Sequence, residues 1–242
     1  MALFTDGALT SIEDLRAHDT QLLTVANVEG IDVTRKLELA QDEISVQVAG
    51  MLARQSAPPG LEQVVVSKAM RFWHAYRTLE LVYRDAYHNQ LNDRYGGKRD
   101  EYRAMAQWAY EQLIRAGLGI ASHPIPKALP PPVSPAPGTL QDGTYYVSVS
   151  WTNAAGEEGE CSEPAVFDIS GSSFSVRIDA PAAVGGWNVY AGLSASSMTL
   201  QNSTPLAAEE LWVQPALRSG RATGNGQAPS YSLAVPRLIQ RG

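Results

Sequence analysis

The spacing of apolar and polar residues changes once along this chain, near His123. Before that point the pattern is helical. Apolar or small residues recur at positions 65, 69, 72, 76, 79, 83 and 86, in alternating steps of four and three, which marks one helix face. This predicts a helix that begins between Leu61 and Ser67 and runs to about Asn92, roughly 40 Å long at 1.5 Å per residue. Tyr102, Met105, Ala109 and Leu113 predict a second arm from about Lys98 to Ala116, with Gly96-Gly97 as the turn and Gly117 as the C-cap. Upstream, Val33, Leu37, Ala40, Ile44, Val48 and Met51 form the stripe of a helix that Asp32 caps and that Ala57-Pro58-Pro59-Gly60 ends near Arg54. Ser11 and Asp14 resemble a capping box for a short helix over Ile12–His18. Gln21 to Val28 is apolar without a readable period, and Gly30 closes it.

After His123 the period becomes two. Tyr145, Val147, Val149 and Trp151 alternate with Tyr146, Ser148 and Ser150, and Asn153 to Gly156 reads as a turn. Ala165–Ile169, Phe174/Val176/Ile178 and Trp187/Val189 are further strands; Met198–Gln201 and Leu211–Val213 are weaker ones. Pro124, Pro126, Pro130, Pro131, Pro132, Pro135 and Pro137 separate the halves; such a segment favours polyproline II geometry and acts as a semi-rigid spacer. The expected fold class is α+β multidomain. An N-terminal α-helical bundle (1–122) leads through a proline-rich linker (123–138) to a C-terminal immunoglobulin/fibronectin-like β-sandwich (139–235), with a C-terminal tail (236–242).

Composition narrows the function. The net charge of -6 argues against wholesale nucleic-acid binding and permits a local basic surface. The single cysteine, Cys161, excludes an intrachain disulfide and a cysteine-based zinc site. Met1 to Gly7 has no basic region followed by an apolar core, so no signal peptide is expected. No run approaches the ~18 apolar residues of a membrane-spanning helix.

Catalytic motifs are missing. His18, His74, His88 and His123 lie in different segments, and His74 and His88 are about 20 Å apart on one helix, too far to share a metal. There is no His-Glu-x-x-His, phosphate loop or dinucleotide fingerprint. Gly117-Leu118-Gly119 is a helix terminator. Asp42/Glu43 and Glu157/Glu158 read as a solvated helix face and a solvated turn; the run Glu157, Glu158, Glu160, Glu163 lacks the alternation of a calcium loop. Cys161 reads as a small half-buried residue. No enzyme, cofactor or metal is expected.

Two readings stay open for Arg71, Arg77, Arg84, Arg94, Arg99 and Arg103. They cover a solvated helix surface with intrahelical pairs, or some of them face an acidic patch or polyanion on a neighbour. Among the aromatics, Phe72, Tyr76, Tyr83 and Tyr102 are expected in the core. Trp73, Tyr87 and Tyr110 lie off the stripe and are expected at an interface. The predicted contact set is Trp73, Arg77, Arg84, Tyr87 and Arg94. Arg237, Leu238, Ile239 and Arg241 are predicted to dock the tail on a neighbour.

Three stretches carry a family resemblance: Ala26 to Ile44, Trp73 to Glu80 and Asp85 to Tyr95. They resemble head-to-tail adaptor (connector) proteins of tailed bacteriophages. Asp142 to Val147 and Gly186 to Tyr190 resemble the immunoglobulin-like domains of phage structural proteins. The resemblance implies a virion protein at the head–tail junction, assembled in the host cytoplasm. It would form a ring, commonly twelvefold, of neighbouring copies beneath the portal protein. That ring extends the channel for genomic DNA, without sequence specificity, and docks a tail or nozzle protein. The β-domain would face capsid or fibre proteins, and no membrane is involved. The rival reading is a virion surface or receptor-binding module that uses the β-sandwich to hold a glycan or protein.

Overall fold

A computed structural model describes residues 2–91, 93–179, 181, 184–224 and 226–235. In chain order the elements are α1 (Ile12–His18), α2 (Leu22–Glu29), α3 (Val33–Leu52), β1 (Val64–Val65), α4 (Lys68–Gln90), α5 (Asp93–Ala116), β2 (Leu118–Ile120) and β3 (Val133–Ala136). They continue as β4 (Gly143–Thr152), β5 (Ala165–Ile169), β6 (Ser173–Val176), β7 (Gly186–Gly192), β8 (Thr199–Leu200), β9 (Trp212–Val213) and β10 (Tyr231–Leu233). The described residues thus hold five α-helices and three antiparallel sheets. They divide into two compact units: a helical unit of Gly7–Ser122 with the segment from Pro229, and a β unit of residues 2–6 with His123–Ala228.

The helical unit is built around α4. Ser67 caps it, with its hydroxyl 3.2 Å from the Met70 amide. Its buried residues run nearly all the way round the axis: Trp73, His74, Ala75, Thr78, Glu80, Leu81 and Val82 join the predicted Tyr76, Leu79, Tyr83 and Ala86. A helix buried on every side is central, yet the polar His74, Thr78 and Glu80 make the sequence look amphipathic. Helix α3 buries all six of its predicted stripe residues, and Asp32 accepts from the Arg35 amide as its cap. The apolar run before Gly30 is helix α2, which that glycine ends at φ 64.

The hairpin turn differs from expectation. Gly96 and Gly97 lie inside α5, and the chain reverses after α4 at Leu91, which takes the left-handed conformation with φ 49. Gly96 serves a close approach: a Cβ there would sit 3.2 Å from the Tyr87 ring, whereas one on Gly97 meets nothing within 4 Å. Helix α5 ends at Gly117 (φ +81), where a Cβ would collide with Ser232 and Leu233 of β10. That strand pairs with β2, and β2 pairs with β1. Residues 229–235 therefore belong to the helical unit, and the expected sandwich boundary at 235 is corrected. Residues 2–6 likewise leave the expected helical domain: the Asp6 carboxylate accepts from the Lys127 amide at 2.9 Å.

The β unit has two sheets, ordered β3-β6-β9 and β5-β4-β7-β8. Tyr145, Val147, Val149 and Trp151 of β4, Trp187 and Val189 of β7, and Phe174 and Val176 of β6 share one apolar cluster, as their alternation predicts. Gly156 (φ 77) sits in the predicted turn, where the Asn153 side chain accepts from the amides of Ala155 and Glu157. The expected linker is part of this unit rather than a spacer. Val133–Ala136 is strand β3, paired with β6, and Ile125 and Ala128 are buried in the cluster. Proline-rich sequence suits this place because β3 is an edge strand, where a missing N–H costs no ladder bond.

The two helix glycines generate a test by urea denaturation. Gly97→Ala is expected to stabilise the protein by about 0.5–1 kcal/mol, the helix-interior difference between the residues. Gly96→Ala is expected to gain clearly less or to destabilise, because its methyl group presses on Tyr87.

Candidate interaction surface

A chain of ion pairs across three helices takes in two of the five predicted contact residues, Arg77 and Tyr87. Arg77 Nε donates to Glu43 of α3 at 2.6 Å, and Arg77 Nη1 donates to Glu80 Oε2 at 2.6 Å. Arg103 of α5 donates to the other oxygen, Glu80 Oε1, at 3.0 Å, and its Nη1 lies 3.6 Å from Asp100. Asp100 also accepts from Arg99 Nε at 2.8 Å, and the Arg99 guanidinium lies 4.8 Å from the centre of the Tyr87 ring. Three carboxylates and three guanidiniums alternate, so the seam is neutral. Burial pulls the Arg77 pKa down, but the bonds to Glu43 and Glu80 outweigh that and leave it raised. Glu80 is only 4% exposed and has a guanidinium on each oxygen.

Two further nodes fix the helices on α4. Asp19, just after α1, accepts on one oxygen from Tyr83 (2.7 Å) and Tyr102 (2.8 Å), and on the other from the Gln21 amide (2.9 Å). Burial raises its pKa, but these hydrogen bonds and Lys98 prevail and hold it below the usual carboxylate value. The same burial and the Asp19 charge push both phenols up. His74 is fully buried. A carbonyl can only accept, so Nε2 donates to the Leu37 carbonyl at 3.0 Å, and in the neutral ring Nδ1 accepts from the Thr10 hydroxyl at 2.7 Å. Burial pushes its pKa down against the raising effect of that carbonyl.

The predicted contact residues therefore separate. Trp73 is 4% exposed and packs on Tyr110 with ring centres 5.0 Å apart, so it is a hairpin core residue and not an accessible anchor. Arg77 is held in the seam. Arg84 is partly exposed, 3.7 Å from Asp85, which also pairs with Lys36. Tyr87 is half-buried under Arg99. Arg94 is exposed, and its charge bears on Tyr83 and Tyr95. Arg237, Leu238, Ile239 and Arg241 lie outside the described residues.

Sequence reasoning missed an aromatic ledge at the other flank of the hairpin. His18 of α1, Phe72 and Tyr76 of α4, and Trp108 of α5 have ring centres 5.0–6.4 Å apart in successive contacts. Trp108 is 50% exposed, Phe72 is half-buried and Lys68 Nζ sits 5.5 Å from the Phe72 ring. The available signal was Trp108 itself, one position from the Tyr102/Met105/Ala109 stripe.

In the β unit the acidic turn is partly folded inward, contrary to the solvated reading. Glu158 accepts from Asn188 (3.0 Å), Tyr190 (2.6 Å), Ser150 and Arg221. Burial raises its pKa and these donors lower it further than that. Cys161 beside it is pushed up to about 11, by burial and then by the Glu158 charge, so the thiol stays protonated at neutral pH. Among the described residues no three His, Cys, Asp or Glu side chains could hold a metal ion, and no helix is long and apolar enough to cross a membrane.

Two predictions follow the nodes. Glu80→Ala leaves two guanidiniums facing a buried void and is expected to cost about 2–3 kcal/mol, discounted because Arg103 is half in solvent. Glu43→Ala, at the exposed end, is expected to cost under ~1 kcal/mol in the same urea titration. A His whose folded pKa lies below its unfolded value of about 6.5 takes up protons on unfolding, so its share of stability is present above that pH and falls as acid is added below it. Urea midpoints are expected to drop from about pH 6.5 downward, with a flatter profile in His74→Gln. No protein-family model matches this chain, and no curated protein matches it.

Proposed function

We propose that this chain is a non-enzymatic structural protein of a tailed-phage virion, a head-to-tail adaptor that forms a ring beneath the portal. The helical unit would be a bundle that builds the ring, and the β unit an outward-facing immunoglobulin/fibronectin-like sandwich. The observation that carries the reading is the division of labour on the hairpin. The charges of its seam are neutralised within the chain, while Trp108 and part of Phe72 are left to solvent, which suits packing against another protein more than binding a polyanion. A mostly paired surface also suits a channel through which DNA slides without sticking. The sandwich reading is supported by the shared cluster and by the connectivity: the chain changes sheet at β3–β4, β5–β6, β6–β7 and β8–β9, as Greek-key sandwiches do.

A groove of about 520 Å³ in the β unit, between Pro137–Gln141 and Val213–Leu217, favours the receptor-binding alternative to the extent that it has room for a ligand. One experiment separates the two. Purified protein is mixed with portal rings of the phage that encodes it, and the products are sized by light scattering and viewed by electron microscopy. A second ring stacked on the portal is the expected result. A chain that remains monomeric, never joins the portal and instead coats host cells would replace the adaptor reading with the receptor-binding one.

A further inference from the structure

Burial between β2 and β3 repeats every third residue. Ile125, Ala128 and Pro131 are buried, while Pro126, Leu129 and Pro132 are exposed. Three residues per turn is the period of the polyproline II helix. The local chemistry enforces it: Leu129, Pro130 and Pro131 each precede a proline and are pushed to extended geometry, and the prolines fix their own φ. The segment thus lies along the β unit with one edge inward. The other edge, Pro126-Leu129-Pro132, forms a solvent-facing apolar ridge about 19 Å long at ~3.1 Å per residue. Leu129 at 80% is the most exposed large apolar side chain among the described residues. Ridges of this spacing dock on aromatic-lined surfaces, gaining from a backbone that is already ordered.

The helical unit carries such a surface in His18, Phe72 and Trp108, backed by the buried Tyr76 ring. The rims are complementary in charge. Lys68 and Arg71 flank the ledge, and neither has an ion-pair partner among the described residues. On the ridge side the exposed carboxylate is Glu163, which pairs at the surface with Lys127.

We infer that the Pro126-Leu129-Pro132 ridge of one copy docks on the His18/Phe72/Trp108 ledge of a second copy. The two patches are different surfaces of the same chain, so the contact is heterologous and propagates head to tail until a ring closes. This rests on the ring-forming reading and names the contact that would make the ring.

The test uses the full chain in sedimentation velocity and light scattering up to about millimolar concentration. Trp108→Ala and Leu129→Glu both alter exposed positions, and unchanged thermal melts would show that each still folds. Each is expected to weaken self-association about thirtyfold or more, the size seen for anchoring interface residues. The mixture is decisive. Trp108→Ala keeps an intact ridge and Leu129→Glu an intact ledge, so together they are expected to form one-to-one pairs that cannot grow. Assemblies that persist in both variants would overturn this contact and leave the ring reading standing. A wild-type chain that stays monomeric to millimolar concentration, or variants whose mixture never pairs, would also overturn the contact. Stacking on the portal, measured separately, still decides the adaptor reading.

Discussion

Buried carboxylates supplied with several donors hold this protein in register. Glu80 receives a guanidinium on each oxygen from two helices, Asp19 receives two phenols and a backbone amide, and Glu158 receives a hydroxyl, an amide, a phenol and a guanidinium. A charge taken from water costs several kcal/mol and recovers it only where partners are complete. The net contribution of such a node to stability is modest. Its contribution to geometry is large, because any shift of α3 or α5 along α4 would strand a charge in the interior. The apolar stripes permit sliding by a turn; the carboxylates do not.

The same principle applies to the arginines of the hairpin seam. Arg77, Arg99 and Arg103 face carboxylates of their own chain at hydrogen-bond distance, and the Arg99 plane covers Tyr87. What the hairpin offers outward is aromatic area at Trp108 and Phe72. The β unit offers a rigid ridge at Leu129. Both leave apolar area in solvent that the packing of their own unit does not cover.

Much of the architecture was legible because it follows from local rules. The stripe of α3, the caps Ser11 and Asp32, the stops at Gly30 and Gly117, and the alternation of β4 each depend on neighbours a few residues away. The misread features involve partners far apart in sequence. Gly96-Gly97 has the composition of a turn, but Tyr87 needs a residue without a side chain opposite it, and helix α5 keeps both glycines. Trp73 lies off the apolar stripe, yet α4 is enclosed on nearly every side, so leaving the stripe did not mean reaching solvent. The prolines of the presumed spacer are compatible with either a free linker or an edge strand, and only the presence of β6 to pair with chose the latter.

By itself, then, the sequence determined element types and faces, because helix and strand periods, capping and chirality act within one or two turns of chain. Only the tertiary structure decided which polar residues are interior, since Glu80, Asp19 and Glu158 are indistinguishable from surface acids until their donors, from 2 to 83 residues away, are brought to them. It also decided which apolar residues are left outside. A three-residue period in burial at Pro126, Leu129 and Pro132 exists only once there is a sheet beneath it to cover the opposite edge.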